Sequence, residues 1–132
     1  MKVTPDTNIL VRVIVADDER QRRVAESVLA NAEVIALTLP LLCELTWVLS
    51  RGYKANPDEI AEAIRRLMDG ANVIVNRTAV EAGLEMLESG GNFADGLIAY
   101  EGRWLGGETF VSFDNQAVKL LAAKGRKTCV PA

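Results

Sequence analysis

Four acidic side chains stand where a folded chain could use them for chemistry. Asp6 and Asp114 each follow a short β-rich run, Glu44 interrupts the apolar run LPLLCELTWVL, and Asp95 begins an otherwise apolar helical segment. A carboxylate among apolar neighbours costs free energy unless it is paired or binds a metal. Two carboxylates brought together repel each other unless a cation lies between them. These acids are therefore the candidates for a metal site.

Each acid also has a purely structural explanation. Asp6 and Asp114 could cap the N-termini of helices, because Asp accepts hydrogen bonds from the first free backbone N–H groups. Asp95 could be stabilised by the helix dipole alone, and Glu44 could lie at the solvated edge of its helix. The residue types by themselves leave both explanations open.

The composition limits the chemistry further. The chain has 132 residues, 18 acidic and 15 basic side chains, and no histidine, which excludes Ser-His-Asp and Cys-His catalysis and histidine-based zinc sites. Two cysteines, Cys43 and Cys129, are too few for a disulfide framework, and we expect both in the core of a protein in a reducing compartment. No apolar run is long enough to cross a membrane. These features predict one soluble, cytoplasmic domain over residues 1–132.

The elements that must position the acids alternate along the chain. We predict five short strands separated by helices. The first ends near residues 3–4, and the others span residues 34–38, 73–75, 109–113 and 128–130. Strands alternating with helices indicate an α/β fold with a parallel sheet covered on both faces. Ligands of such sheets bind at the carboxyl ends of the strands, where Asp6 and Asp114 emerge.

Helix boundaries have local signatures. Asn56, Pro57 and Glu59 predict a helix start with a capping box, and Pro40 suits the first turn of the helix that carries Glu44. Thr78 and Glu81 predict a second capping box.

The motifs around the four acids resemble those of the PIN-domain family, and more closely those of VapC-like ribonuclease toxins of type II toxin–antitoxin pairs. The resemblance runs from about residue 3 to residue 130, with the motifs in family order. They are DTNIL at residues 6–10, the acid-bearing run at residues 41–45, FADGLIA at residues 93–99 and FVSFD at residues 110–114.

The resemblance implies a three-layer α/β/α fold with a central parallel five-stranded sheet and an Mg²⁺- or Mn²⁺-dependent endoribonuclease. The family's acidic pocket falls here on Asp6, Glu44, Asp95 and Asp114 as catalytic and metal-binding residues, with Ser112 as the hydroxyl before the last acid. Asn8 would be a polar neighbour of the site. Many relatives have a further acid where this chain has Asn92, and Asn115 replaces another that is sometimes seen. We expect these changes to alter metal affinity more than reaction type.

Oxygen ligands without His or Cys favour a hard cation, Mg²⁺ or Mn²⁺, over zinc. A water activated by such a metal can attack phosphorus without a histidine base. We expect Asp6 with Asp95 or Asp114 to bind the metal directly and Glu44 to orient or deprotonate the water.

The resemblance also implies an RNA substrate, a VapB-like antitoxin that places a basic side chain in the acidic pocket, and a homodimer. The surfaces suggested for the dimer or the antitoxin include residues 41, 42, 47, 64 and 68, although Trp47 and Trp104 could equally be core residues. The net charge of −3 disfavours a generally basic RNA-binding surface. Candidate phosphate contacts are Arg12, Arg20, Arg22, Arg23, Arg51 and Lys54, each of which could instead be an ordinary solvated charge.

Other classes fit less well. A haloacid-dehalogenase-type phosphatase needs a second Asp at the position of Asn8, and a receiver domain needs paired acids at one strand end. The remaining alternative is a PIN-like RNA-binding or regulatory module that has lost cleavage.

Overall fold

The computed structural model describes all residues from Met1 to Ala132 and contains seven helices and five short strands. The chain forms two compact units, Met1–Asn76 and Arg77–Ala132. The α/β class predicted from the sequence is confirmed. None of the seven helices has the length and apolar character that spanning a lipid bilayer requires.

The first unit contains a parallel three-stranded sheet in the order β1-β2-β3. Val3 pairs with Ile35 and Ile35 with Val73 across the three strands. Its elements are β1 (Lys2–Val3), α1 (Thr7–Ile14), α2 (Glu19–Asn31), β2 (Val34–Ala36), α3 (Leu39–Gly52), α4 (Pro57–Met68) and β3 (Val73–Ile74). The fully buried side chains that hold this unit include Leu10, Leu42, Leu45, Ile60 and Ile64.

The second unit contains a parallel two-stranded sheet, in which Phe110 pairs with Thr128. Its elements are α5 (Arg77–Glu88), α6 (Phe93–Trp104), β4 (Thr109–Val111), α7 (Asn115–Ala123) and β5 (Lys127–Cys129). All five strands pair in parallel, as predicted, but they belong to sheets of three and two strands. The single five-stranded sheet is therefore not confirmed and stays a prediction.

Local capping signals were read correctly in the first unit. The Asn56 side chain accepts a hydrogen bond from the Glu59 N–H at 2.9 Å, and the Glu59 carboxylate accepts one from the Asn56 N–H at 3.0 Å. Thr38 caps α3 by accepting from the Leu41 N–H, and Pro40 lies in the first turn. Because Thr38 caps that helix, β2 ends at Ala36, before the predicted end of the strand.

Several features differ from the sequence predictions or were left open by them. The sequence patterns do not predict helix α1, and α5 begins at Arg77, so Thr78 lies inside the first turn instead of capping it. Cys129 is exposed, not part of the core, and no disulfide joins it to Cys43, which is half-buried. The tryptophans are not core residues either, since Trp47 and Trp104 are 63% and 77% exposed.

Helices α5 and α6 pack unusually closely within the second unit. A Cβ atom built on Gly96 would lie 2.5 Å from the carbonyl oxygen of Ala82 and 2.8 Å from the Cα of Gly83. A Cβ on Gly83 would in turn lie 2.7 Å from the ring of the buried Phe93. Only hydrogen atoms at these two positions permit this approach, which fixes the first turn of α6.

Candidate active site

Asp6 lies directly after β1 and caps helix α1. Its Oδ1 accepts hydrogen bonds from the backbone N–H groups of Asn8 at 3.0 Å and Ile9 at 3.4 Å. The side chain is exposed, and its Oδ2 accepts no hydrogen bond from the protein. Asp6 is therefore a helix cap that still has one oxygen for another partner.

Asp114 follows β4 and caps α7 in the same way. Its Oδ1 accepts from the N–H groups of Gln116 at 3.0 Å and Ala117 at 3.1 Å. The Oγ of Ser112 accepts from the backbone N–H of Asp114 at 2.9 Å. Ser112 thus fixes the backbone turn that presents Asp114, so in this structure it positions the acid.

Asp95 lies in the first turn of α6 and is half-buried, unlike Asp6 and Asp114. Burial raises the pKa of Asp95 above its ordinary value, and the negative charge of Asp114 raises it further. The second cause means that the two carboxylates are close enough to repel each other. A cation bound at this pair would remove that repulsion and favour the ionised form of Asp95.

Two contacts hold the helix starts of this acid pair in place. The Gln116 side chain donates to the carbonyl of Gly90 at 3.1 Å, which ties the start of α7 to the turn before α6. Asn92 caps α6 by accepting from the Ala94 N–H at 2.8 Å. Asn92 therefore has a structural role here and is not a substitute acid. No local pattern in the sequence marks Gln116 as a positioning residue.

Gly96 is a second positioning residue that is absent from the predicted site. A glycine inside a helix often marks a close backbone approach, and Gly96 directly follows Asp95 in an apolar helix. That signal was available, because glycine is otherwise unfavourable at such a position.

Glu44 lies on α3 of the first unit, where its side chain is exposed at the edge of the buried stripe formed by Leu41, Leu45 and Leu49. It forms no ion pair or hydrogen bond with the protein. The expected cost of an unpaired buried carboxylate therefore does not arise for Glu44.

The structure brings together Asp95, Ser112 and Asp114 in the second unit, while Asp6 and Glu44 belong to the first. Neither unit on its own groups three acidic or thiol side chains closely enough to hold a metal. A pair of carboxylates nevertheless suits Mg²⁺, which usually takes one or two protein carboxylates and keeps several waters. The oxygen donors of Asp95 and Asp114 fit such a hard cation.

Several cations suggested as phosphate contacts have acidic partners in their own helices or loops. Arg12 pairs with Asp17 at 3.1 Å, Arg22 with Glu26 at 3.0 Å and Arg23 with Glu19 at 3.3 Å. By contrast, Arg51 and Lys54 form no salt bridge. Arg12, Arg22 and Arg23 are thus solvated charges that are already partly neutralised.

The surface suggested for a dimer or an antitoxin also changes. Leu41, Leu42, Ile64 and Met68 are all buried, whereas Trp47 is exposed. Of that set, Trp47 alone presents a large apolar surface to solvent.

Comparison with known proteins agrees with the motifs. The sequence model of the PIN domain matches residues 3–122, a range that includes all four candidate acids and Ser112. The chain is also similar to the solved structure of VapC20 from Mycobacterium tuberculosis, described as a toxin that cleaves the sarcin-ricin loop. The two share 20% identity over 97% of this chain and 98% of that chain, with a TM-score of 0.43. No curated protein matches the chain. Because the PIN domain match spans most of its length, the chain belongs to the PIN-domain family.

Proposed function

We propose that this protein is an Mg²⁺- or Mn²⁺-dependent endoribonuclease that hydrolyses phosphodiester bonds in RNA. The observation that carries the proposal is the placement of Asp95 and Asp114 at the starts of two helices of one unit, in a chain of the PIN-domain family. Burial, and after it the charge of Asp114, raises the pKa of Asp95. Two carboxylates that repel each other, one of them half-buried, are held at a cost that a bound cation would offset.

All four acids, Asp6, Glu44, Asp95 and Asp114, would serve the same cleavage reaction. The support is the family resemblance, whose motifs include each of them. Asp95 and Asp114 would bind the cation, Asp6 would add an oxygen ligand through the Oδ2 that its capping role leaves available, and Glu44 would accept a proton from the attacking water. Ser112 would act by holding Asp114 in position.

The bound cation would supply Lewis-acid chemistry, namely a more acidic water and neutralisation of charge on the phosphate. The backbone positions two of these acids, because capping hydrogen bonds hold Asp6 and Asp114 at the N-termini of α1 and α7.

We further propose that the protein acts in the cytoplasm as the toxin of a type II toxin–antitoxin pair and forms a homodimer. Its inhibitor would be a VapB-like antitoxin whose basic side chain neutralises the acids. The support is the likeness of the motifs to VapC-like toxins, and Trp47 offers an exposed apolar surface for the dimer. One PIN domain over residues 1–132, with a three-layer fold and a five-stranded sheet, belongs to the same proposal.

A second candidate is a PIN-like RNA-binding or regulatory module without cleavage. It is favoured by the capping roles of Asp6 and Asp114, which explain both acids without any reaction.

A cleavage assay on total RNA separates the two candidates. We expect cleavage with Mg²⁺ or Mn²⁺, none with EDTA, and a loss of about a hundredfold or more in Asp95→Asn and Asp114→Asn, the scale on which a single electrostatic contributor acts. Asp18→Asn is the matched control, because Asp18 caps α2 by accepting from the Gln21 N–H at 3.0 Å but is not one of the four acids. Equal cleavage by all variants would refute the proposed site, and no cleavage by any folded variant would favour the binding module.

The toxin role has its own test. Expression of the chain in bacteria should arrest growth, and Asp95→Asn should relieve that arrest at equal protein level. A short neighbouring reading frame whose product binds the chain and restores growth would support the antitoxin. Growth unaffected by the active chain would contradict the toxin role without affecting the nuclease.

A further inference from the structure

One surface of the second unit combines an exposed tryptophan and a half-buried tyrosine with unpaired arginines. We call it the Trp104 face, and it consists of Tyr100, Arg103, Trp104 and Arg126. These four side chains line a single depression of about 360 Å³. We propose that the Trp104 face binds single-stranded RNA, with a base stacked on Trp104 and phosphates held by Arg103 and Arg126.

The two guanidinium groups of this face have no acidic partner in the protein. Arg103 and Arg126 form no salt bridge and no side-chain hydrogen bond. Arginines elsewhere on the surface, such as Arg23 and Arg66, pair with a carboxylate one turn away. A guanidinium without an acidic partner is free to form paired hydrogen bonds with a phosphate.

The aromatic component is as unusual as the charge. Trp104 is 77% exposed, so burial does not explain an indole at this position. The next residue, Leu105, is also exposed. An exposed aromatic ring beside cations is the arrangement on which proteins stack the bases of single strands.

The backbone holds the face in a fixed shape. At the end of α6, the Gly107 N–H donates to the Gly102 carbonyl at 2.7 Å. At the end of α7, the Arg126 N–H donates to the Leu121 carbonyl at 3.1 Å. Gly106 and Gly125 have φ angles of +98° and +84°, which glycine adopts without strain. Two tight turns thus fix the backbone next to Arg103, in the last turn of α6, and at Arg126, which lowers the entropic cost of binding.

The face is separate from the candidate acids. Trp104 lies nine residues after Asp95 on α6, which corresponds to about 14 Å along the helix axis. It lies at the end of the two-stranded sheet where β4 and β5 begin, whereas Asp114 follows the carboxyl end of β4. An RNA bound there could extend toward the acids without competing for them. The choice of RNA over single-stranded DNA rests on the proposed function.

Fluorescence anisotropy of a labelled oligouridine, measured in EDTA so that no metal-dependent cleavage occurs, tests the proposal. We expect Trp104→Ala to weaken binding about tenfold, because stacking on one aromatic ring contributes this much to single-strand affinity. Trp104→Phe should restore most of that loss. Removing Arg103 and Arg126 together should lower the slope of log affinity against log salt by about 1.4, the value for two phosphate contacts on a single strand.

The controls are Tyr53→Ala, which removes another exposed aromatic ring, and Arg66→Ala, which removes an exposed arginine that is already paired. Both should bind like the wild type. Equal affinity of Trp104→Ala and Tyr53→Ala would overturn the proposal. Burial of Trp104 with rising protein concentration in the absence of RNA, seen as a blue shift in Trp47→Phe, would also overturn it by showing a second copy on this face.

The proposal and the nuclease can fail separately. Binding that depends on Trp104 without any cleavage would retain the RNA surface and refute the proposed function. Cleavage with unaltered binding by the Trp104 variants would do the reverse.

Discussion

The close approach of α5 and α6 predicts opposite effects of the same substitution at two glycines of one helix. Gly96→Ala places a Cβ 2.5 Å from the carbonyl oxygen of Ala82, while Gly102→Ala meets nothing within 4 Å. Comfortable contact between such atoms needs about 3.5 Å, so the helices must separate by about 1 Å to accommodate the methyl group. The obstructing atoms belong to the backbone of α5 and cannot rotate away.

The balance between helix propensity and overpacking decides whether each substitution raises or lowers the free energy of unfolding. Replacing Gly by Ala inside a helix stabilises it by up to about 1 kcal/mol, whereas overpacking a tight contact costs about 1–3 kcal/mol or more. Gly102→Ala should therefore raise the free energy of unfolding by about 0.5 kcal/mol, since it lies near the helix end. Gly96→Ala should lower it by about 2 kcal/mol.

Urea unfolding followed by circular dichroism measures both variants against the wild type. The two variants should differ by about 2–3 kcal/mol, and the slope against urea should stay unchanged because the same surface is exposed on unfolding. If Gly96→Ala is as stable as Gly102→Ala, α5 and α6 do not pack as described, and the placement of Asp95 that depends on this contact is wrong.

Three further outcomes are expected. Folding favours the protonated form of Asp95, so the stability that this form contributes is complete below the ordinary pKa of 3.8 and is lost as pH rises through the raised folded pKa. In EDTA, urea titrations should show the free energy of unfolding of Asp95→Asn rising relative to that of the wild type as pH rises. A difference that stays constant with pH would contradict the burial and the repulsion. Asn56→Ala should lower the free energy of unfolding by about 1 kcal/mol through loss of the capping box, while Asp58→Ala beside it should have a smaller effect in the same thermal melt. Millimolar Mn²⁺ should raise the Tm of the wild type because ligands that bind only the folded state stabilise it, and this shift should vanish in Asp114→Asn; an equal shift in both would place the cation elsewhere.

The features that depend on a few adjacent residues could be predicted from the sequence. Asn56 and Glu59 form the capping box because both partners lie within one turn. Asp6 and Asp114 cap helices for the same reason, and capping was one of the two explanations that their positions in the sequence left open. Helix α1 was missed because its residues TNILVRVI are rich in β-branched side chains, which do not favour a helix over a strand.

Features that depend on packing could not be predicted in this way. The apolar run around Cys129 predicts a core position, but its side chain is exposed. The half-buried state of Asp95 depends on residues distant in sequence, and so does its repulsion by Asp114. Trp104 is a similar case. A tryptophan near a helix end could equally be a core residue, and only the packing around it shows that it is exposed.

Asp6 and Asp114 each have two roles, helix capping and the proposed reaction, and this affects how the site can change during evolution. Each acid stabilises a helix as well as the proposed reaction, so selection for folding alone would preserve both after activity is lost. Glu44 and Asp95 cap no helix, and replacing Asp95 by Asn would even relieve a repulsion. Descendants of this protein that no longer cleave RNA should therefore lose Asp95 and Glu44 first and retain the two capping aspartates, Asp6 and Asp114.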